Sequence, residues 1–299
     1  MIEWIKDLFQ TEDVMSTEIV LKPKKRFSVG GLLCIFAAFA VLGFALLDIL
    51  ADTISVIQNL ISFVQVLGFS DYIYSSQCYY LSNIIGAIGA ILIELCLLVT
   101  VAALILYGAL TLFKIKTRFL GVIFIAPAAA SLLAILVMVL NYLAENAVWI
   151  FFDAFVAMSR LFLNLIYLGV AALPLVAMAI CWMALAVVVL VFGGSKKYSK
   201  NKSIAAIIVA AVVALLFAGA SAVGFGVVLL SNGMVLMAEL TDMLLNGYMM
   251  PGSYIVTTLL SIIGDIIYAA VKYGALGLIY AVTTFFAVNW IVAPYKRDN

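Results

Sequence analysis

FSVGGLLCIFAAFAVLGFALLDIL, residues 27–50, carries one charged side chain, Asp48, in an otherwise apolar run. An α-helix needs about 20 apolar residues to cross the hydrocarbon of a bilayer. Comparable runs begin at Phe119, Ile204 and Ile255, and the whole chain of 299 residues is 67% hydrophobic and 10% charged, with a mean hydropathy of +1.27. A soluble domain of this size would need a polar surface that the composition does not supply. The runs do not alternate polar with apolar residues, as the strands of a membrane β-barrel must. The sequence therefore predicts an all-α integral membrane protein.

Six transmembrane helices account for the chain, near 27–50, 82–113, 119–143, 160–193, 203–230 and 255–291. Residues 27–293 form the six-span domain, preceded by the segment 1–26 and followed by the tail 294–299. Basic residues fall into four groups: Lys6 and Lys22 to Arg26; Lys114, Lys116 and Arg118; Lys196, Lys197, Lys200 and Lys202; Lys296 and Arg297. Together these hold 14 of the 16 lysines and arginines, and a six-span topology puts all four groups on one side. The opposite side carries Asp48, Asp52, Asp71, Glu145, Asp153, Glu239 and Asp242. Lys and Arg accumulate on the cytoplasmic side of membrane proteins, so the expectation is a cell-membrane protein with both termini cytoplasmic.

The N-terminal segment has five acids before Lys22 and no early apolar region, so it does not read as a signal peptide. Ile2, Ile5, Leu8 and Phe9 have helical spacing with charges between them, which fits a short interfacial helix as well as a polar tail. The connectors 52–69, 146–160 and 231–253 are apolar with isolated acids. They are expected to form short amphipathic helices on the outer surface, with re-entrant segments as the other reading. Tyr72, Tyr74, Tyr79, Tyr80, Trp149, Tyr248 and Tyr254 gather on that side, as an interfacial aromatic belt would.

The basic junctions restart at Lys24, Lys116 and Lys196, which divides the chain into three tandem helical hairpins, 24–115, 116–195 and 196–293. Either duplication or the outline common to all membrane hairpins explains that pattern. One local match, LSNIIGAIGAIL (81–92) against LSIIGDIIYAAV (260–271), aligns Gly86 with Gly264 and Glu94 with Lys272.

Glu94, Asp265 and Lys272 are charges inside apolar runs, each costing about 2.5–3.5 kcal/mol at a helix centre on insertion scales. Asp265 and Lys272 are seven residues apart, on one helical face but about 10 Å apart along the axis. Tyr268 lies between them, and its hydroxyl can donate and accept. These four residues form the candidate buried polar group. It either lines a route for an ion or small solute, locks helices together, or is trivial, with Lys272 snorkelling and Asp265 near the outer boundary. Pro127 and Pro174 interrupt spans three and four and permit kinks.

Other chemistry is sparse. Histidine is absent, and the four cysteines have no Cys-x-x-Cys pair, so neither a metal site nor a cofactor is expected. Cys34, Cys96 and Cys181 read as packing residues in spans, and Cys78 as part of an outer segment. No motif of a membrane enzyme is present, and no serine on Lys272's own helix lies nearer to it than Ser261. The net charge of +1 gives no footprint for nucleic acid. The expected function is transport or conduction of a small solute or ion. The alternative is a non-catalytic integral subunit that organises a membrane complex. Lipids, other membrane subunits or further copies of the chain are the expected partners.

Overall fold

The computed structural model describes residues 29–67, 74–113, 120–152, 154–193, 200–246 and 252–292. They form seven α-helices: α1 (Val29–Leu67), α2 (Tyr74–Leu112), α3 (Leu120–Ile123), α4 (Ile125–Phe152), α5 (Ala154–Phe192), α6 (Lys200–Asn246) and α7 (Gly252–Val292). With α3 and α4 forming one span, six helical segments are long and apolar enough to cross a membrane, and no strand occurs among the described residues. The sequence expectations for 1–26, for the tail 294–299 and for most of the basic groups concern residues outside those described.

Spans pack in chain order, and α7 closes the bundle against α1; α5 also touches α7. Successive spans run antiparallel. Gly31 at the start of α1 faces Gly108 at the end of α2, and Gly121 in α3 faces Ala186 and Leu190 at the end of α5. In lipid, helices gain little by hiding apolar surface from one another, so association depends on close packing and small interfacial residues. Gly31 and Gly108 illustrate this: a Cβ on Gly108 would come within 2.8 Å of the Gly31 carbonyl oxygen, and one on Gly31 within 2.8 Å of the Gly108 carbonyl oxygen.

The buried core lies toward this same end. Tyr107, Phe124, Trp182, Phe217 and Tyr280, one from each of spans two to six, form a connected aromatic cluster. Ring centroids are 4.6 Å apart for Tyr107–Phe124, 4.7 Å for Trp182–Phe217 and 5.6–5.8 Å for Phe124–Trp182, Trp182–Tyr280 and Phe217–Tyr280. Such pairs contribute about 0.5–1.5 kcal/mol each beyond area burial. The Tyr107 hydroxyl donates to the Ala287 carbonyl at 3.3 Å, which satisfies it in the dry interior.

Pro127 explains how Phe124 reaches the cluster. A proline has no N–H for the carbonyl four residues earlier, and its ring crowds that carbonyl. The carbonyl is that of Ile123, where α3 ends; a tighter turn follows, with Phe124 N donating to Gly121 O at 3.2 Å. Phe124 at the break turns inward. Pro174 instead lies within α5, which remains helical across it.

The outer connectors depart from expectation. They are helical, but continuous with the spans rather than separate surface helices. Residues 52–67 belong to α1, 146–152 to α4, 154–160 to α5 and 231–246 to α6. No proline occurs between Val29 and Leu67 or between Lys200 and Asn246, so nothing stops the helix at the expected boundary. Cys78 is likewise not in an outer loop. It lies on α2, which begins at Tyr74 and not near 82, and it is fully buried.

Gly108→Val overpacks the α1–α2 contact and is expected to cost about 1–3 kcal/mol. Gly43→Ala, with open space around the new methyl, is expected to change stability little. Thermal or denaturant unfolding in mild detergent compares them; equal midpoints would contradict this packing.

Candidate functional site

Asp48 lies at the middle of α1, Glu94 within a residue of the middle of α2, and Lys272 at the middle of α7. Ring closure brings these three helices together. Lys272 Nζ donates to Asp48 Oδ2 and lies 3.8 Å from Glu94 Oε1. The Tyr268 hydroxyl donates to Asp48 Oδ1 at 2.7 Å. Asp52, one turn beyond Asp48, faces the same region. The side chains of Lys272, Asp48 and Glu94 are 16–18% exposed, so the triad is largely withdrawn from the surface. Its formal charge is −1.

Of the four residues grouped by the sequence, three meet here: Glu94, Tyr268 and Lys272. Asp265 does not join them. It is exposed on α7, and among the described residues no hydrogen bond or ion pair involves it. The axial rise of two turns keeps it from Lys272, which reaches sideways to α1. Tyr268 links Lys272 to Asp48, not to Asp265. Asp48 was missing from the group because it reads as an outer-side acid at a span's end. Its signal was positional: 19 residues separate Val29 from Asp48, 18 separate Glu94 from Leu112 and 20 separate Lys272 from Val292, so all three sit at one depth.

Asp265 lines an open groove of about 400 Å³ between α6 and α7, with Val228, Ser231, Asn232, Tyr268, Ala269, Lys272 and Tyr273. The fold thus brings a serine, Ser231, to the groove that Lys272 lines. The two are not linked as nucleophile and base: the Ser231 hydroxyl donates to the Val228 carbonyl at 3.1 Å, and the lysine is turned to its carboxylates.

A second polar seam lies toward the end opposite the Gly31–Gly108 contact. Asn83 donates to Asn59 at 3.4 Å, Trp149 Nε1 donates to Ser82 at 3.3 Å, and Asn141 donates to Glu145 at 2.7 Å. Gly86 and Gly89 leave room on α2 for Glu145 and Asn141.

A ring of long apolar helices locked by an intramembrane ion triad defines a multi-pass helical membrane protein. Comparison of the chain with family models, curated proteins and solved structures finds no match, so its class rests on its own residues.

Lys272→Met leaves Asp48 and Glu94 without their cation and is expected to destabilise the bundle by about 1–3 kcal/mol. Adding Asp48→Asn and Glu94→Gln in the same chain is expected to recover most of that loss. Unfolding in mixed detergent micelles reads the cycle; a single variant no less stable than the triple would contradict the triad's coupling.

Proposed function

We propose that this protein is a non-catalytic integral subunit that organises a larger assembly in the cell membrane. The supporting observation is excess apolar length. At 1.5 Å per residue, α1 with its 39 residues is about 58 Å long and α7 with 41 about 62 Å. Hydrocarbon is about 30 Å thick, and even at the ~40° upper end of observed helix tilts it takes up only about 39 Å of helix. About 20 Å of each helix then lies outside it. Those stretches are not polar: Val64 and Leu67 at the end of α1 are 59% and 57% exposed, and Val256 near the start of α7 is 55% exposed. Contiguous apolar surface of this kind marks a protein or membrane contact, and on lengths beyond the hydrocarbon we read it as protein. In this reading the triad holds α1, α2 and α7 in one register, and it specifies geometry more than it adds stability.

The distribution of basic residues supports cytoplasmic termini. A cysteine introduced at Ser199 is expected to react only from inside the cell, and one introduced at Tyr79, which is exposed on α2, only from outside. Labelling of both from one side would refute this topology. Extraction in gentle detergent followed by mass measurement of the intact particle is expected to find a stoichiometric foreign subunit. A lone monomer or pure homo-oligomer would sink the reading.

A second reading, translocation of a small solute or ion, is favoured by the groove beside the triad. A polar face open on the outer half above a dry aromatic cluster is the layout of a pathway closed at one end. In proteoliposomes, Glu94→Gln with Asp265→Asn would then abolish flux at unchanged protein abundance. Flux that is absent in the parent, or unaltered in the variant, removes this reading.

A further inference from the structure

We propose that the groove between α6 and α7 binds the N–H-bearing ammonium of a primary amine, with Asp265 as its counter-ion. Three observations carry the assignment. The first is charge. Lys272 is the cation nearest to Asp265 among the described residues, but it is already held by Asp48 and Glu94. Asp265 is therefore left, among the described residues, as a carboxylate without an ion-pair partner, beside a triad whose own formal charge is −1.

The second observation is the direction of the hydrogen bonds. Asn232 donates its amide N–H to the Val228 carbonyl at 3.0 Å, and Ser231 donates its hydroxyl to the same carbonyl at 3.1 Å. Tyr268 donates its hydroxyl to Asp48. What these residues have left to offer is mainly acceptor capacity: the Asn232 carbonyl oxygen, the Ser231 and Tyr268 oxygen lone pairs, and the Asp265 carboxylate, against the second amide N–H of Asn232. The Tyr273 hydroxyl can rotate to give or take, and the Lys272 ammonium, which also lines the groove, is engaged by Asp48 and Glu94. With acceptors in excess and the lining cation neutralised by its own carboxylates, the groove suits a ligand rich in N–H donors.

The third observation is shape. A groove of about 400 Å³ falls in the range of small-molecule sites and is far larger than a bare metal ion requires. The Tyr268 ring, 40% exposed, forms one wall and attracts a cation through its face. A primary ammonium fits better than a quaternary one, because a trimethylated nitrogen presents no N–H to these acceptors. That ammonium has two natural sources, a water-soluble amine and the headgroup of an aminophospholipid. A subunit with no transport activity would carry this site equally well.

The test uses the full chain in nanodiscs of phosphatidylglycerol, which has no ammonium. Ethanolamine and choline are titrated by calorimetry. In a second arm, protein extracted from mixed bilayers is weighed by native mass spectrometry for retained phosphatidylethanolamine against phosphatidylcholine. At least a tenfold preference for the N–H-bearing partner is expected in one arm. Preference for ethanolamine identifies an aqueous amine, and selective retention of phosphatidylethanolamine identifies a lipid headgroup. Asp265→Asn and, separately, Asn232→Leu are expected to weaken that binding at least tenfold with unchanged size-exclusion elution. The parent's selectivity is a test that needs no variant. Absence of preference in both arms, or full binding by Asp265→Asn, overturns the assignment.

Discussion

The bundle depends on one cation shared by two carboxylates from different helices. Lys272 on α7 reaches Asp48 on α1 and approaches Glu94 on α2, and Tyr268 completes the coordination of Asp48. None of these charges is tolerable alone in hydrocarbon, where each costs a few kcal/mol. Together they turn three separate penalties into one register-setting contact. Because the first, second and last long helices supply them, the same contact closes the ring that successive hairpins leave open.

Around that contact the two halves of the bundle differ in kind. Toward the end where α1 begins, glycine contacts and five clustered aromatic residues exclude water. Toward the other end, Asn83 bonds Asn59 between α2 and α1, Trp149 bonds Ser82 between α4 and α2, and Asn141 bonds Glu145 within α4. The break at Phe124 belongs to the first half. There span three places the Phe124 ring between Tyr107 and Trp182.

Much of this was legible in residues. Apolar run lengths placed six spans, and Glu94, Tyr268 and Lys272 stood out as polar groups in apolar surroundings. The helix ends were less legible, because residues 52–67 and 231–246 are apolar enough to read as surface helices and hold no proline to separate them from the spans. Pairing was the least legible. Periodicity tells which residues share a face, but not which neighbouring helix that face meets. Asp265 was grouped with Lys272 through a face they share, whereas the true partner, Asp48, lies 224 residues away in sequence. The alignment of Glu94 with Lys272 between the outer hairpins falls on two residues now seen 3.8 Å apart.

The order of the triad along the chain has a consequence for biogenesis. Asp48 and Glu94 emerge from the ribosome in the first third of the chain, and Lys272 follows 178 residues after Glu94. At about 5–20 residues per second, this interval lasts roughly 10–35 s. Through that interval two acidic side chains wait in the first hairpin without their cation, and α1 waits without the last helix that seals it. The nascent protein therefore holds an open, acid-lined intermediate that only synthesis of the final span resolves. A chain cut short before Lys272 keeps that acidic pair without its cation.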